Sequence, residues 1–313
     1  MDRRTITGIL TALLLAAAAA YFIFNAKVVN TSVFPVMGTI CECSFTMPER
    51  KFKQALAEVH SAFDEVLQIA NLHNKNSELA RLNNTAHIKP FVCSKELYYL
   101  LSKSREAYLV SEGRFDISVK PLMDLWGFYR KQGKTPDGDE IAKVQKLCGL
   151  EKVIFNDAKC SVYFPVKGMA LDLGGIAKGY ALDCAARRLE IFSNDISRGM
   201  INLGGNILLL GKQQVYKIGI KDPVFPQKIK EVISVRSPGA VSSSGDYERY
   251  VILDGKKYGH IIDPLSGVPA VREYAATVVA ENGTDSDWMS TVLFLSGEKI
   301  KNKLNCQSIL VRK

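Results

Sequence analysis

LDLGGIAKGY, residues 171–180, is the stretch on which the fold turns. An apolar-acid-apolar run stops at two glycines, and a helical pattern, IAKGYALDCAARRLEIF, follows. The expectation is a strand ending in Asp172, a glycine turn, and a helix start with unpaired N–H groups. Such a start attracts phosphate or a metal-bound anion through its dipole and free donors. Lys178, one turn in, adds positive charge. An ATP-binding P-loop needs GxxxxGK followed by Ser or Thr, but here the lysine precedes the glycine. The dinucleotide fingerprint fails on GxGxxG spacing. Taken alone, the stretch is equally a helix packed closely on a strand, with the glycines there for fit.

Upstream of this stretch, short strands are expected near Val153 and Val162. NLGGNILLLG (202–211) reads as a strand with a glycine turn at its start. Strands near 216–220, 231–236, 250–253 and 258–262 follow, punctuated by Gly, Pro and Asp. ATVVAEN is another strand, SDWMSTVLFLSG a helix ending at a glycine, and SILVRK a last strand. Toward the N-terminus, residues 34–45 have strand character with a turn at MGT, and Pro48 opens a helix. Its apolar residues Ala55, Val59, Phe63, Val66 and Ile69 recur three and four apart, so one face is buried; His60 lies beside that stripe as a structural or surface residue. A second helix spans about 94–111 with Ser94 as N-cap. A surface turn at 134–139 leads to a short helix ending near Gly149. The chain reads as α+β, mixed sheets with packed helices.

Residues 1–30 differ. Arg3 and Arg4 precede an apolar run at 6–24, close to the roughly 20 residues that cross a bilayer. The favoured reading is an uncleaved N-terminal membrane anchor; with the arginines inside, the rest lies on the extracytoplasmic, periplasmic side. The rival is a signal peptide, cleaved to leave a secreted protein. The length beyond it, residues 31–313, permits one large domain or two tightly packed halves. Seven cysteines include no CxxC pair and no histidine at zinc spacing. Cys148 and Cys160 are close enough in sequence to close a short loop, and most of the others read as small core residues. The net charge of +9 is scattered, without interleaved aromatics, which argues for a solvated basic surface and against nucleic acid.

MGT (37–39), FDISVKPLMDLWGF (115–128), NLGGN (202–206), SSSGDYERY (242–250), YGHIIDPLSGVP (258–269) and TDSDWMSTVLFLSG (284–297) occur in order around LDLGGIAKGY. Together they resemble the ApbE family of FAD:protein FMN transferases over about 33–313. The resemblance implies a two-lobed, ApbE-like (T-fold-like) domain that binds FAD as substrate together with Mg²⁺. FMN passes to a Thr or Ser hydroxyl of an acceptor protein, and AMP leaves. Typical acceptors are subunits of membrane redox pumps; some relatives instead hydrolyse FAD to FMN and AMP. A protein that only binds and stores flavin is the non-enzymatic alternative.

The resemblance also implies roles. Asp287 and Thr291, four apart on a helix, and a backbone carbonyl near Gly175 would hold the metal; both side-chain oxygens face one way. Asp285 would act through water or serve only as a helix cap or solvated acid. Asp172 would bind FAD and help order the metal. Lys178 matches a position of Lys or Glu. Met37 would pack on the flavin, Asp116 and Ser118 would touch ligand where relatives often carry FDxT, and Trp126 is read as a core aromatic. Gly204, Gly205 and Asn206 would permit close approach, while Ser243 and Ser244 would supply hydroxyls. Ile262 would read the adenine edge through its backbone, and Asp263 would form a turn. His260 would accept the acceptor's proton. Relatives often have two histidines there, and Gly259 replaces the first.

Overall fold

The computed structural model describes residues 11, 13–16, 25–130, 133–246, 249–301, 304 and 306–313. The proposed anchor therefore lies almost wholly outside the described residues, as do Tyr247 and Glu248 of SSSGDYERY. Among the described residues no helix is long and apolar enough to cross a membrane.

In chain order the helices are α1 (Glu49–Ala70), α2 (Glu78–Thr85), α3 (Lys95–Val110), α4 (Lys120–Leu125), α5 (Gly138–Gln145), α6 (Ala177–Leu189), α7 (Gly283–Ser296) and α8 (Glu298–Lys301). The strands are β1 (Lys27–Val36), β2 (Thr39–Pro48), β3 (Phe91–Val92), β4 (Ile154–Asn156), β5 (Ser161–Tyr163), β6 (Arg198–Leu203), β7 (Asn206–Leu210), β8 (Val215–Lys221), β9 (Ile229–Arg236) and β10 (Gly239–Ser244). They continue with β11 (Tyr250–Leu253), β12 (Lys256–Gly259), β13 (Ile262–Asp263), β14 (Val268–Pro269), β15 (Tyr274–Ala280) and β16 (Gln307–Arg312).

An antiparallel sheet of order β1-β2-β6-β7-β10-β15-β16 is the frame. β2 from the first half of the chain pairs with β6 from the second, so both halves build one sheet. Alternation gives it two apolar faces. One carries Cys41, Cys43, Phe45, Leu203, Leu208 and Val278 into the main core, under α1, α6 and α7. The other packs Leu209, Val241 and Val311 against Tyr216, Ile218 and Ile220 of the β8–β9 hairpin, whose residues alternate in and out. A third cluster around Leu122, Trp126, Val251 and Ile262 joins α4 to β11 and β13.

Pro48 is the N-cap of α1, and Ala55, Val59, Phe63 and Val66 are buried on one face, as the spacing predicts. His60 sits at the surface with its ring 4.0 Å from Phe34. The Ser94 hydroxyl accepts from Leu97 N–H and caps α3. The first hairpin is longer than expected: β1 begins at Lys27, because β-branched residues continue upstream of Phe34.

Two expectations are corrected. No strand ends at Asp172; residues 171–173 are irregular. The Asn83 side chain takes both Leu171 backbone groups, at 2.8 and 2.9 Å, and Asp172 N–H donates to Ile117 O at 2.7 Å. Those bonds satisfy the backbone that a ladder would have satisfied. Cys148 and Cys160 do not close a loop: all seven cysteines are free. Cys148 lies in the third cluster, whereas Cys160 packs on the main core.

Candidate active site

Helices α6 and α7 meet at glycines. A Cβ on Gly179 would stand 2.1 Å from Gly283 O, and one on Gly283 would stand 2.5 Å from Gly179 O. No side chain fits at either crossing position, so Gly179 serves packing. The contact lets each helix cap the other. Ile176, the N-cap of α6, offers no capping side chain; instead Asp287 Oδ2 of α7 accepts from Gly179 N–H at 2.9 Å. In return Asp183 of α6 accepts from Gly283 N–H at 2.6 Å and Thr284 N–H at 2.8 Å, and from the Thr284 hydroxyl. Two helix starts, each with its positive dipole end, are held side by side.

Asp287 keeps Oδ1 for other work. That oxygen is 3.7 Å from Lys178 Nζ, which donates to Gly174 O at 3.2 Å. Thr291, one turn on, lies 3.3 Å from the Ser244 hydroxyl. A Cβ on Gly175 would fall 3.8 Å from Thr291 Oγ1 and 3.1 Å from Phe115. Asp287, Thr291, Gly175 and Lys178 thus converge, and the carbonyl directed toward Asp287 through Lys178 belongs to Gly174. Asp172 spans the turn below: Oδ1 accepts from Gly174 N–H at 2.6 Å and Oδ2 from the Tyr129 hydroxyl at 2.5 Å. Burial and that carboxylate hold the Tyr129 phenol well above its usual range.

Two turns close the same end of the sheet. Met37 and Gly38 form the two-residue β1–β2 turn, with φ of 50° and 69°. A positive φ is uncommon for methionine, and glycine is the residue for such turns. Both carbonyls face Arg249 Nη2, at 3.5 and 3.3 Å. Gly204 and Gly205 turn β6 into β7, and a Cβ on Gly204 would strike Thr39 at 2.4 Å. Asn206 follows, buried, its Nδ2 without a hydrogen-bond partner among the described residues.

His260 leaves β12 beside this end. Its backbone N–H donates to Arg249 O at 3.0 Å, and its Nδ1 lies 3.2 Å from the same oxygen. A carbonyl only accepts, so Nδ1 carries the proton and Nε2 keeps a free lone pair. The ring is half-buried. That desolvation, with Arg249 and Lys178 next, lowers its pKa from 6.5 to about 4. Gly259, where relatives often have histidine, lets the backbone approach Asp246; a Cβ would stand 2.9 Å from Asp246 Cα.

Ser243 faces the opposite side of the sheet from Ser244 and meets Thr277 at 2.8 Å. Ser242 is the residue that shares Ser244's face, 2.7 Å from Ser286 of α7. Asp116 caps the turn at 117–119, accepting from Ser118 N–H at 2.7 Å and Leu150 N–H at 3.3 Å. Ser118 Oγ accepts from Gly149 N–H at 2.6 Å. These two polar groups tie backbone together. Asp285 accepts from Trp288 Nε1 at 3.0 Å and Asn282 Nδ2 at 2.8 Å, the bonds of a structural acid at the start of α7. Trp126 is a core aromatic bonded to Gly267 O at 2.9 Å. Ile262 is buried, and Asp263 pairs with Arg114 at 3.1 Å and Arg272 at 3.2 Å. Sequence reasoning missed Tyr129, Asp183 and Arg249. Asp183 carried a readable signal, an acid on the helix that follows the glycines; the other two meet the site only through folding.

Fold and site define a mixed α/β protein with two mutually capped helix starts around an oxygen-rich notch, and with His260 within electrostatic reach of Lys178. The chain belongs to the ApbE family, whose model matches residues 37–309. It is 33% identical over 228 residues to a FAD:protein FMN transferase of Klebsiella pneumoniae, covering 72% of this chain and 70% of that protein. It is 31% identical over 287 residues to the FAD:protein FMN transferase of Treponema pallidum, covering 84% and 77%. The crystal structure of the ApbE protein from Thermotoga maritima superposes with a TM-score of 0.83 at 27% identity, covering 91% and 94%. The flavin transferase ApbE from Vibrio cholerae shares the fold, with a TM-score of 0.77 at 23% identity over 92% and 94%.

Proposed function

We propose that this chain transfers FMN from FAD to a Thr or Ser hydroxyl of another protein, with Mg²⁺, and releases AMP. The names of its relatives support the transferase reading. The convergence of Asp287, Thr291 and the Gly174–Gly175 turn on one notch beside His260 carries it to these residues. Among the described residues no three of His, Cys, Asp and Glu gather as a metal site. The notch offers a different set: one carboxylate oxygen, one hydroxyl and one carbonyl. Those are hard oxygen donors that suit Mg²⁺, which keeps several waters or phosphate oxygens of its own. Bound there, the ion would offset pyrophosphate charge and stabilise departing AMP.

The chain's own groups do the rest. The paired helix starts and Lys178 orient the pyrophosphate. The orphaned Asn206 Nδ2 is a donor that a ligand oxygen would satisfy. His260 Nε2 takes the proton from the acceptor hydroxyl. The hydroxyl oxygen bonds to the FMN-side phosphorus, the bond from that phosphorus to the bridging oxygen breaks, and AMP leaves with the bridging oxygen. Asp172, pinned by Tyr129 and Gly174, holds the turn that presents the carbonyl. Localisation on the outer face of a membrane, through residues 1–30, and a membrane redox-pump subunit as acceptor complete the proposal. The assay is covalent flavin fluorescence on a denatured acceptor after incubation with FAD and Mg²⁺. FMN and AMP without labelled protein would make the chain a hydrolase, and unchanged FAD a binding protein.

A further inference from the structure

Lys178 stands in an odd place for a lysine. It occupies the first turn of α6, where the helix dipole disfavours a cation. Its side chain folds back along its own helix, donates to Gly174 O at 3.2 Å and approaches Asp287 Oδ1 at 3.7 Å. The site is shielded: the two side chains are 20% and 5% exposed. Asp287 Oδ2 is already taken by Gly179 N–H, so Oδ1 is the oxygen left for a cation. The ammonium therefore lies between two of the oxygens that the proposed metal set would use.

We propose that Lys178 competes with the divalent ion for Gly174 O and Asp287 Oδ1, so that metal binding requires its ammonium to leave. An ammonium and a dication cannot share two oxygens at contact distance without like-charge repulsion. Lys178 is already close enough to His260 to act on it electrostatically. Pyrophosphate entering between α6 and His260 offers the displaced ammonium a new partner. Substrate and metal are then coupled: metal binds weakly alone and more tightly once phosphate oxygens can receive Lys178. This rests on the reading of the Asp287 notch as a metal site.

The test is calorimetric titration of the full chain with Mg²⁺ alone, at fixed pH and ionic strength. Lys178→Met keeps the apolar stem and removes the charge. Its Mg²⁺ dissociation constant should fall about tenfold or more below that of the unaltered chain. Lys178→Arg, which retains the charge, should stay weak. Equal or weaker Mg²⁺ binding by Lys178→Met would overturn the proposal. Asp287→Asn separates the two levels. Lost Mg²⁺ binding there, with Lys178→Met unchanged, refutes only the competition; unchanged binding in Asp287→Asn refutes the metal notch itself. Should Lys178→Met fail to fold, Lys178→Gln is read the same way. A crystal soaked in Mn²⁺ decides independently: metal at Asp287 with Lys178 Nζ still on Gly174 O contradicts the displacement.

Discussion

Asp287 divides its work between its two oxygens, Oδ2 capping α6 and Oδ1 facing the notch. Asn preserves a carbonyl oxygen for the cap but removes the charge. Asp287→Asn should therefore stay folded and lose more than roughly 100-fold of Mg²⁺-dependent turnover; thermal melting beside the rate measurement checks both halves. His260 gives a pH prediction. With its pKa lowered to about 4, the ring is neutral, and so able to accept a proton, down to mildly acid pH. The acid limb of kcat/KM should fall nearer 4 than 6.5, and a limb at the ordinary histidine value would contradict the burial argument. The same depression affects folding. It costs nothing above about 6.5, because both states are neutral; as pH falls toward 4 the unfolded ring takes up the proton first and stability declines. These side chains were legible in the sequence as types at spacings. Their division of labour was not: nothing in GGIAKGY says that the cap of its helix comes from Asp287, 108 positions away from Gly179.

The α6–α7 pair is the element that holds the site. Gly179 and Gly283 allow backbone contact, and Asp183 and Asp287 exchange caps across it. Gly179→Ala has no room against Gly283 O and should destabilise by about 1–3 kcal/mol or more while splaying Asp287 from Gly174. Denaturant unfolding measures the first effect and Mg²⁺ titration the second. Asp183→Ala should cost about 1–2 kcal/mol as a lost cap, with activity falling only as far as α7 shifts. Helix periodicity made both elements readable, and the glycines announced a close approach without naming its partner. The supposed strand before them failed because Asn83, not a neighbouring strand, satisfies Leu171. The serines show the same limit. Alternation says that Ser243 and Ser244 face opposite ways, but only the register with β15 tells which one meets the helices.

For the whole molecule, the α+β class followed from local pattern, but the strand order did not. β2 lies beside β6, with about 150 residues between them in sequence, and the turns at Met37–Gly38 and Gly204–Gly205 become neighbours only through that pairing. Among the described residues the buried core begins at Cys41 and includes none before Lys27. A chain starting at Lys27 should therefore fold and keep its turnover with a soluble acceptor, while the full chain sediments with membranes and resists a high-salt wash. Equal sedimentation of both would contradict the anchor.

On the proposed reading the notch directs an acceptor hydroxyl, rather than water, at FAD. Purified chain, FAD, Mg²⁺ and a candidate redox-pump subunit should yield fluorescent flavin that survives denaturation of the acceptor, with one AMP released per flavin attached. Chelation of the metal or Asp287→Asn should abolish both signals together. AMP and free FMN accumulating at full rate while the acceptor stays dark would contradict transfer to protein.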